Sequence, residues 1–187
     1  MQHGQNTALV LVDVLNAYDH EDADLLVASV DEALPAMERL LELARERDVL
    51  RIYVNDNFDD WTLDRGRLVE RAMATEAGRR LVGPLAPDDD VALVLKGRHS
   101  IFYETPLAYM LTQADVGHVV LCGQVTEQCI LYSALDAHIR HFAVTVARDA
   151  CAHIHADLAD AALRMMERNM GARIVDADAA LDPPDDR

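Results

Sequence analysis

Three side chains in this sequence form a chemically useful set: the thiol of Cys129, the carboxylate of Asp13 and the ammonium of Lys96. Cys129 closes the run Leu-Cys-Gly-Gln-Val-Thr-Glu-Gln-Cys that starts at Leu121. The run before it, Val116 to Leu121, is short, apolar and β-branched and reads as a buried strand. The run after it, Ile130 to Arg140, reads as a helix. Cys129 is therefore predicted in the first turn of a helix, just past a strand end. Unpaired backbone N–H groups and the helix dipole favour an anion at such a place. The thiolate is the nucleophile, and a free cysteine is only about 3% thiolate at neutral pH. Making most of it thiolate needs roughly 2.7 kcal/mol, which a helix N-terminus and a nearby ammonium can supply. Alternatively, an aspartate takes the thiol proton directly and returns it to a leaving amine. Each residue alone has an ordinary explanation: the Asp caps a turn, the Lys is solvated, the Cys fills a core. Asp13 ends Leu-Val-Asp and Lys96 ends Val-Leu-Lys-Gly, so all three sit at strand exits. Parallel sheets bind ligands beyond those carboxyl ends, and together the three fit one mechanism.

The elements that must position them alternate. Ala8 to Val12, Leu50 to Val54, Val91 to Leu95, Val116 to Leu121, Phe142 to Ala147 and Ala172 to Val175 read as six strands. Leu25 to Arg47 has helical spacing, with Leu26, Val30, Leu34, Met37, Leu40, Leu41 and Ala44 near one face. Pro35 predicts a kink or a division into two helices there. Leu63 to Arg80 is partly helical, with Gly66 and Gly78 as punctuation, and Pro84 and Pro87 mark a loop. Pro106 to Gln113, Glu127 to Arg140 and Ala156 to Met170 complete the helices. Strands apolar on both faces and alternating with helices predict an α/β class protein. The expected architecture is a three-layer α/β/α single domain over 1–187 with a parallel sheet.

Composition narrows the function. With 17 Lys and Arg against 33 Asp and Glu, the formal charge is −16. That argues against nucleic acid and against anionic membranes as partners. Much of the excess lies in Asp19 to Asp24, Asp88 to Asp90 and the tail Asp182 to Asp186, which is expected to fray. No apolar run reaches the length of a bilayer span. Met1 to Thr7 lacks the pattern of a secretory signal. Three cysteines, with no C-x-x-C pair, give no disulfide framework and no structural zinc site. A cytoplasmic location is expected.

The chain resembles the isochorismatase-like cysteine hydrolases, which include nicotinamidases and N-carbamoylsarcosine amidase-type enzymes. The resemblance rests on Leu-Val-Asp-Val-Leu-Asn-Ala-Tyr at 11–18, Val-Asn-Asp-Asn at 54–57 and Leu-Lys-Gly-Arg-His-Ser-Ile-Phe-Tyr-Glu-Thr-Pro-Leu at 95–107. It rests further on Cys-Gly-Gln-Val-Thr-Glu-Gln-Cys at 122–129, Ala-Leu-Asp-Ala at 134–137 and Arg-Asp-Ala-Cys-Ala at 148–152. The blocks run in order along nearly the whole chain. The resemblance implies strand order 3-2-1-4-5-6, a catalytic triad of Asp13, Lys96 and Cys129, and a cis peptide between Gln124 and Val125. It also implies an oxyanion hole from the backbone N–H groups of Val125 and Cys129, and a homo-oligomer, dimer or tetramer. In that strand order Lys96 leaves an edge strand two places from Asp13. The loop from Gly97 to Thr105 is then expected to fold back over the sheet, with Gly97 making the turn inexpensive.

One departure is informative. Nicotinamidases carry an Asp-x-His metal element near the second strand, whereas this chain reads Asn55-Asp56-Asn57-Phe58-Asp59. No metal, no other cofactor and no nicotinamidase activity are expected. Isochorismatase proper does not need the cysteine, so keeping Cys129 points to acyl transfer. The expected function is hydrolysis of a small amide or carbamoyl C–N bond through an acyl-thioester. Tyr18, Asn55, Phe58, Trp61, Phe102, Tyr103 and Tyr132 are the expected substrate-binding residues, and Asn57 is a further polar candidate. The aromatics among them also fit loop packing or a subunit contact, and the asparagines fit turns. His138 with His141, and His153 with His155, lack a third ligand at metal spacing. Cys122 and Cys151 read as core. Two rival functions stay open: a redox-active thiol that forms a sulfenic acid, and a non-catalytic ligand-binding or assembly protein on the same scaffold.

Overall fold

A computed structural model describes residues 6–183. The first five residues and the acidic end from 184 onward, part of the tail expected to fray, lie outside the described residues. Six strands run β1 Asn6–Val12, β2 Leu50–Asp56, β3 Ala92–Lys96, β4 Val116–Gln124, β5 Ala143–Ala152 and β6 Arg173–Val175. Every pairing is parallel, and the order is β3-β2-β1-β4-β5-β6. The helices are α1 Ala23–Glu46, α2 Arg65–Ala72, α3 Glu76–Val82, α4 Leu107–Gln113, α5 Leu131–Ile139, α6 Ala156–Met170 and α7 Ala177–Ala180.

Strand alternation divides the interior into two cores. Leu9 and Leu11 of β1 point to one face, where they meet Leu26, Met37, Leu40 and Leu41 of α1 and Leu81 of α3. Ala8, Val10 and Val12 point to the other, against Leu107 of α4, Ala134 of α5 and Met166 of α6. Helices thus cover both faces of a parallel sheet, which is why its strands are apolar throughout. This is the three-layer α/β/α fold expected from the sequence.

Several local expectations change. α1 runs unbroken through Pro35. Pro35 and Asp31 are both exposed, so the carbonyl deprived of its helical donor faces water. Gly66 and Gly78 lie inside α2 and α3 and do not end them. The break falls at Met73 to Thr75, where Thr75 caps α3 by accepting from the Gly78 N–H at 2.9 Å. Pro84 sits in a 3-10 turn, Gly83–Leu85. β4 extends beyond Leu121 to Gln124, close against β1. A Cβ on Gly123 would lie 2.2 Å from the Val12 carbonyl oxygen, and its φ of +115° suits glycine alone.

Candidate active site

The site gathers at the carboxyl edge of β1, β2, β3 and β4. Backbone conformation already marks that edge. Asp13, Tyr18, Phe58, Asp59 and Glu104 follow β1, β2 and β3, and all adopt left-handed φ between 50° and 59°. Such conformations persist only where surrounding structure holds them. Asp13 is held on three sides. Its N–H donates to the Val54 carbonyl at 2.9 Å. Its Oδ1 accepts the Asp56 N–H at 2.7 Å. Its carbonyl accepts from the Gln124 side-chain amide.

Lys96 is the last residue of β3 and pairs in register with Asp56 of β2. Its ammonium reaches past the end of β2 to Asp13 Oδ2 at 2.8 Å. The side chain spans the gap itself, so the loop after Gly97 does not have to carry Lys96 back over the sheet, contrary to expectation. Gly97 has no left-handed φ either; its missing Cβ instead admits Trp61, whose ring carbon Cζ2 would lie 3.0 Å from one. The same ammonium lies 3.6 Å from Cys129 Sγ and 3.8 Å from Asp56 Oδ2. One cation, only 1% exposed, therefore touches two carboxylates and the thiol.

Cys129 sits in a π-helical turn, Thr126–Ile130, that leads into α5. The turn is fastened at both flanks. Thr126 Oγ1 donates to the Ala152 carbonyl at 2.9 Å. Glu127 Oε1 accepts the N–H groups of Ile154 and His155 at 2.9 and 2.8 Å, which ties the turn to the start of α6. The bond between Gln124 and Val125 is cis, and Tyr18 Oη donates to Gln124 Oε1 at 3.4 Å.

The electrostatics bear on the two routes to an active sulfur that the sequence left open. Burial pushes the Cys129 thiol up, the neighbouring Asp13 charge adds to that, and Lys96 only partly offsets them. The cause is solvation: a residue only 9% exposed beside a carboxylate loses more of it than the ammonium restores, which favours the thiol form. Burial also raises Asp13 above the ordinary carboxylate range, against the pull of Lys96. A carboxylate raised in this way is a stronger base. Burial alone would lower Lys96, but the neighbouring Asp13 and Asp56 carboxylates, with the hydrogen bond to Asp13, outweigh it and its pKa is raised. Of the two routes open from sequence, direct proton transfer to an aspartate is the one this arrangement suits.

The expected substrate-binding residues divide. Asn55 is buried and spends its amide on the chain, accepting from Leu15 N–H and donating to the Leu15 and Asp56 carbonyls. Tyr18 is buried against Gln124, and burial lifts its phenol to about 12. Phe102 is buried in the core and stacks on Phe142 at 5.9 Å. These three are internal supports, because β-sheet alternation and loop packing turn them inward. Phe58 is partly buried under the Arg71 guanidinium, 4.5 Å from its ring centre. Asn57 is buried, with its N–H on the Lys96 carbonyl. Tyr103 is exposed, its N–H turned back to Ser100. Trp61 is 69% exposed over Gly97, and Tyr132 is exposed one turn beyond Cys129.

Two residues at the site were not singled out from the sequence. Asp56 supplies both an N–H to Asp13 and a carboxylate near Lys96. His99 places Nδ1 3.9 Å from Cys129 Sγ. Both lie within the quoted sequence blocks, but no spacing rule distinguishes them from neighbours. Among the described residues, no three His, Cys, Asp or Glu side chains converge as metal ligands, and no helix is long and apolar enough to cross a membrane.

A parallel six-stranded α/β/α sheet thus brings an Asp, a Lys and a Cys together at its carboxyl edge. Residues 7–179 match the family model described as the isochorismatase domain, and the chain belongs to that family. Isochorismatase family protein YaaI of Bacillus subtilis, itself uncharacterized, is 30% identical over 167 residues, covering 89% of this chain and 92% of that protein. Maleamate amidohydrolase of Pseudomonas putida is 29% identical over 183 residues, covering 94% of this chain and 86% of that protein. A crystal structure of a cysteine hydrolase from Pseudomonas syringae pv. phaseolicola superimposes with a TM-score of 0.76 at 23% identity, covering 94% of this chain and 91% of that one. At that identity the superposition speaks for the fold. Family membership makes the chain a hydrolase.

Proposed function

We propose that the chain hydrolyses the C–N bond of a small amide or carbamoyl compound through an acyl-thioester on Cys129. The observation that carries this reading is the single buried ammonium, Lys96, in contact with both the Asp13 carboxylate and the Cys129 sulfur. Asp13 takes the thiol proton as the sulfur attacks the substrate carbonyl. The tetrahedral oxyanion is held by the N–H groups of Val125 and Cys129. As the C–N bond breaks, Asp13 returns its proton to the leaving amine. Water then cleaves the thioester. Lys96 supports the anionic sulfur and keeps Asp13 aimed. The relationship to a protein named for maleamate amide hydrolysis supports amide substrates.

A peroxide-sensing thiol is disfavoured because such thiols are exposed and low in pKa, whereas this one is buried and raised. We also infer self-association. α5 exposes Tyr132, Leu135 and Ile139 on one face, beside the site. The deciding experiment is an ammonia-release screen of small primary amides and carbamoyl compounds with wild type, Cys129→Ala and Asp13→Asn. Turnover is expected in wild type and lost in both variants; turnover that survives Cys129→Ala ends the covalent reading.

A further inference from the structure

The thiol has two titratable groups near it, and they differ in exposure. Asp13 is the shielded one, only 15% exposed and bound to Lys96 and the Asp56 N–H. His99 is the solvent-facing one. It leaves β3 three residues after Lys96, is exposed, and turns Nδ1 toward Cys129 Sγ at 3.9 Å. Its ring rests on Tyr132, with centroids 5.6 Å apart and planes at 47°. Burial does not explain that orientation, because the side chain is solvent-accessible. The groups facing it are the Cys129 thiol on one side and the Tyr132 ring on the other, with the Lys96 ammonium beyond the sulfur. Arg98, next in the chain, turns to the Gly97 carbonyl.

We propose that His99 is a second catalytic base, serving the breakdown of the acyl-thioester rather than its formation. The proposal rests on the cysteine-hydrolase reading above. Once the sulfur is acylated, the thiol proton has gone to the leaving amine and Asp13 is again a carboxylate behind Lys96. The hydrolytic water arrives from solvent, on the side His99 occupies. His99 accepts one proton from that water as its oxygen bonds to the thioester carbonyl carbon. The tetrahedral intermediate collapses, the C–S bond breaks and the electron pair leaves on sulfur beside the Lys96 ammonium. The imidazolium gives its proton to the sulfur, which restores neutral His99 and the thiol and releases the carboxylic acid. A neutral imidazole suits this task because its free ring nitrogen accepts a proton and its protonated form donates one.

The test uses p-nitrophenyl acetate, an activated ester that acetylates a thiol without help to its leaving group. Wild type is expected to turn it over by way of Cys129, with deacetylation rate-limiting. His99→Gln is expected to acetylate at a near-normal rate and deacetylate about 100-fold more slowly. The acetylated enzyme should then accumulate in intact-mass spectra, and added imidazole should restore turnover. His99 is exposed, so the variant keeps the fold, which its circular dichroism and melting point verify. Unchanged deacetylation in His99→Gln, with no acetyl-enzyme accumulating, overturns the role of His99 while leaving the nucleophile intact. Ester turnover equal in wild type and Cys129→Ala overturns the cysteine reading, and this proposal with it.

Discussion

Removing the Lys96 charge tests how the site is held together. Lys96→Met keeps the length and apolar stem but deletes the ammonium 2.8 Å from Asp13. At that separation Coulomb's law with an effective dielectric constant of about 20 gives roughly 6 kcal/mol of attraction. Desolvation of both groups offsets part of this, and breaking one side of a buried pair costs about 3–5 kcal/mol. The loss depends on pH in a definite direction. Without the ammonium, burial raises the Asp13 carboxyl further above its unfolded value. A carboxyl raised in the fold contributes stability that is fully present below its unfolded pKa and is lost as pH rises through the folded one. The deficit of Lys96→Met relative to wild type should therefore be small near about pH 4 and reach about 3–5 kcal/mol near about pH 8. Urea unfolding at the two pH values measures it. The double variant Asp13→Asn/Lys96→Met removes the orphaned carboxylate and should regain stability at the higher pH, yet stay inactive. A deficit below about 1 kcal/mol near pH 8, a deficit independent of pH, or a double variant no more stable than Lys96→Met would each refute the buried-triad account.

Three further expectations concern other parts of the fold. His118, buried in β4 between Thr7 and Thr145, is pushed by burial down to about 4. A depressed pKa contributes stability present above the unfolded value and lost as pH falls through the folded one. Wild type should thus lose about 2.5 kcal/mol from this group between about pH 7 and about pH 4.5, a slope absent in His118→Asn by urea unfolding. Asn55→Ala strips the clamp on Leu15 and Asp56 and should cost about 3 kcal/mol in thermal or urea unfolding, the scale of a buried polar group left unpaired. A substrate contact without structural weight would instead leave stability unchanged. Leu135→Glu with Ile139→Glu places charge on the exposed face of α5 and should shift an oligomer to monomer in sedimentation velocity, with the melting point of the isolated chain little changed.

The strands and the long helices were legible because their signals are local. Runs of β-branched residues become strands, and spacing of three and four residues in Leu26 to Ala44 becomes one helix face. The strand exits at Asp13 and Lys96 followed from the same runs, and the resemblance of the sequence blocks added the strand order. What the sequence by itself determined is thus an α/β/α chain with an acid, an amine and a thiol delivered to one edge. Other features depended on which segments pack together. Helix position alone favours a thiolate at Cys129, but burial beside Asp13 pushes its pKa up, toward the thiol. Tyr18, Asn55 and Phe102 look like mouth residues by composition and are turned inward by the packing of loops and strand ends. Lys96 reaches Asp13 because the β2–β3 register sets it beside Asp56, and His99 meets Cys129 across a separation of thirty residues. Periodicity encodes which face of an element is apolar. It does not encode register between elements or the solvation of a given side chain, and these decide the chemistry here.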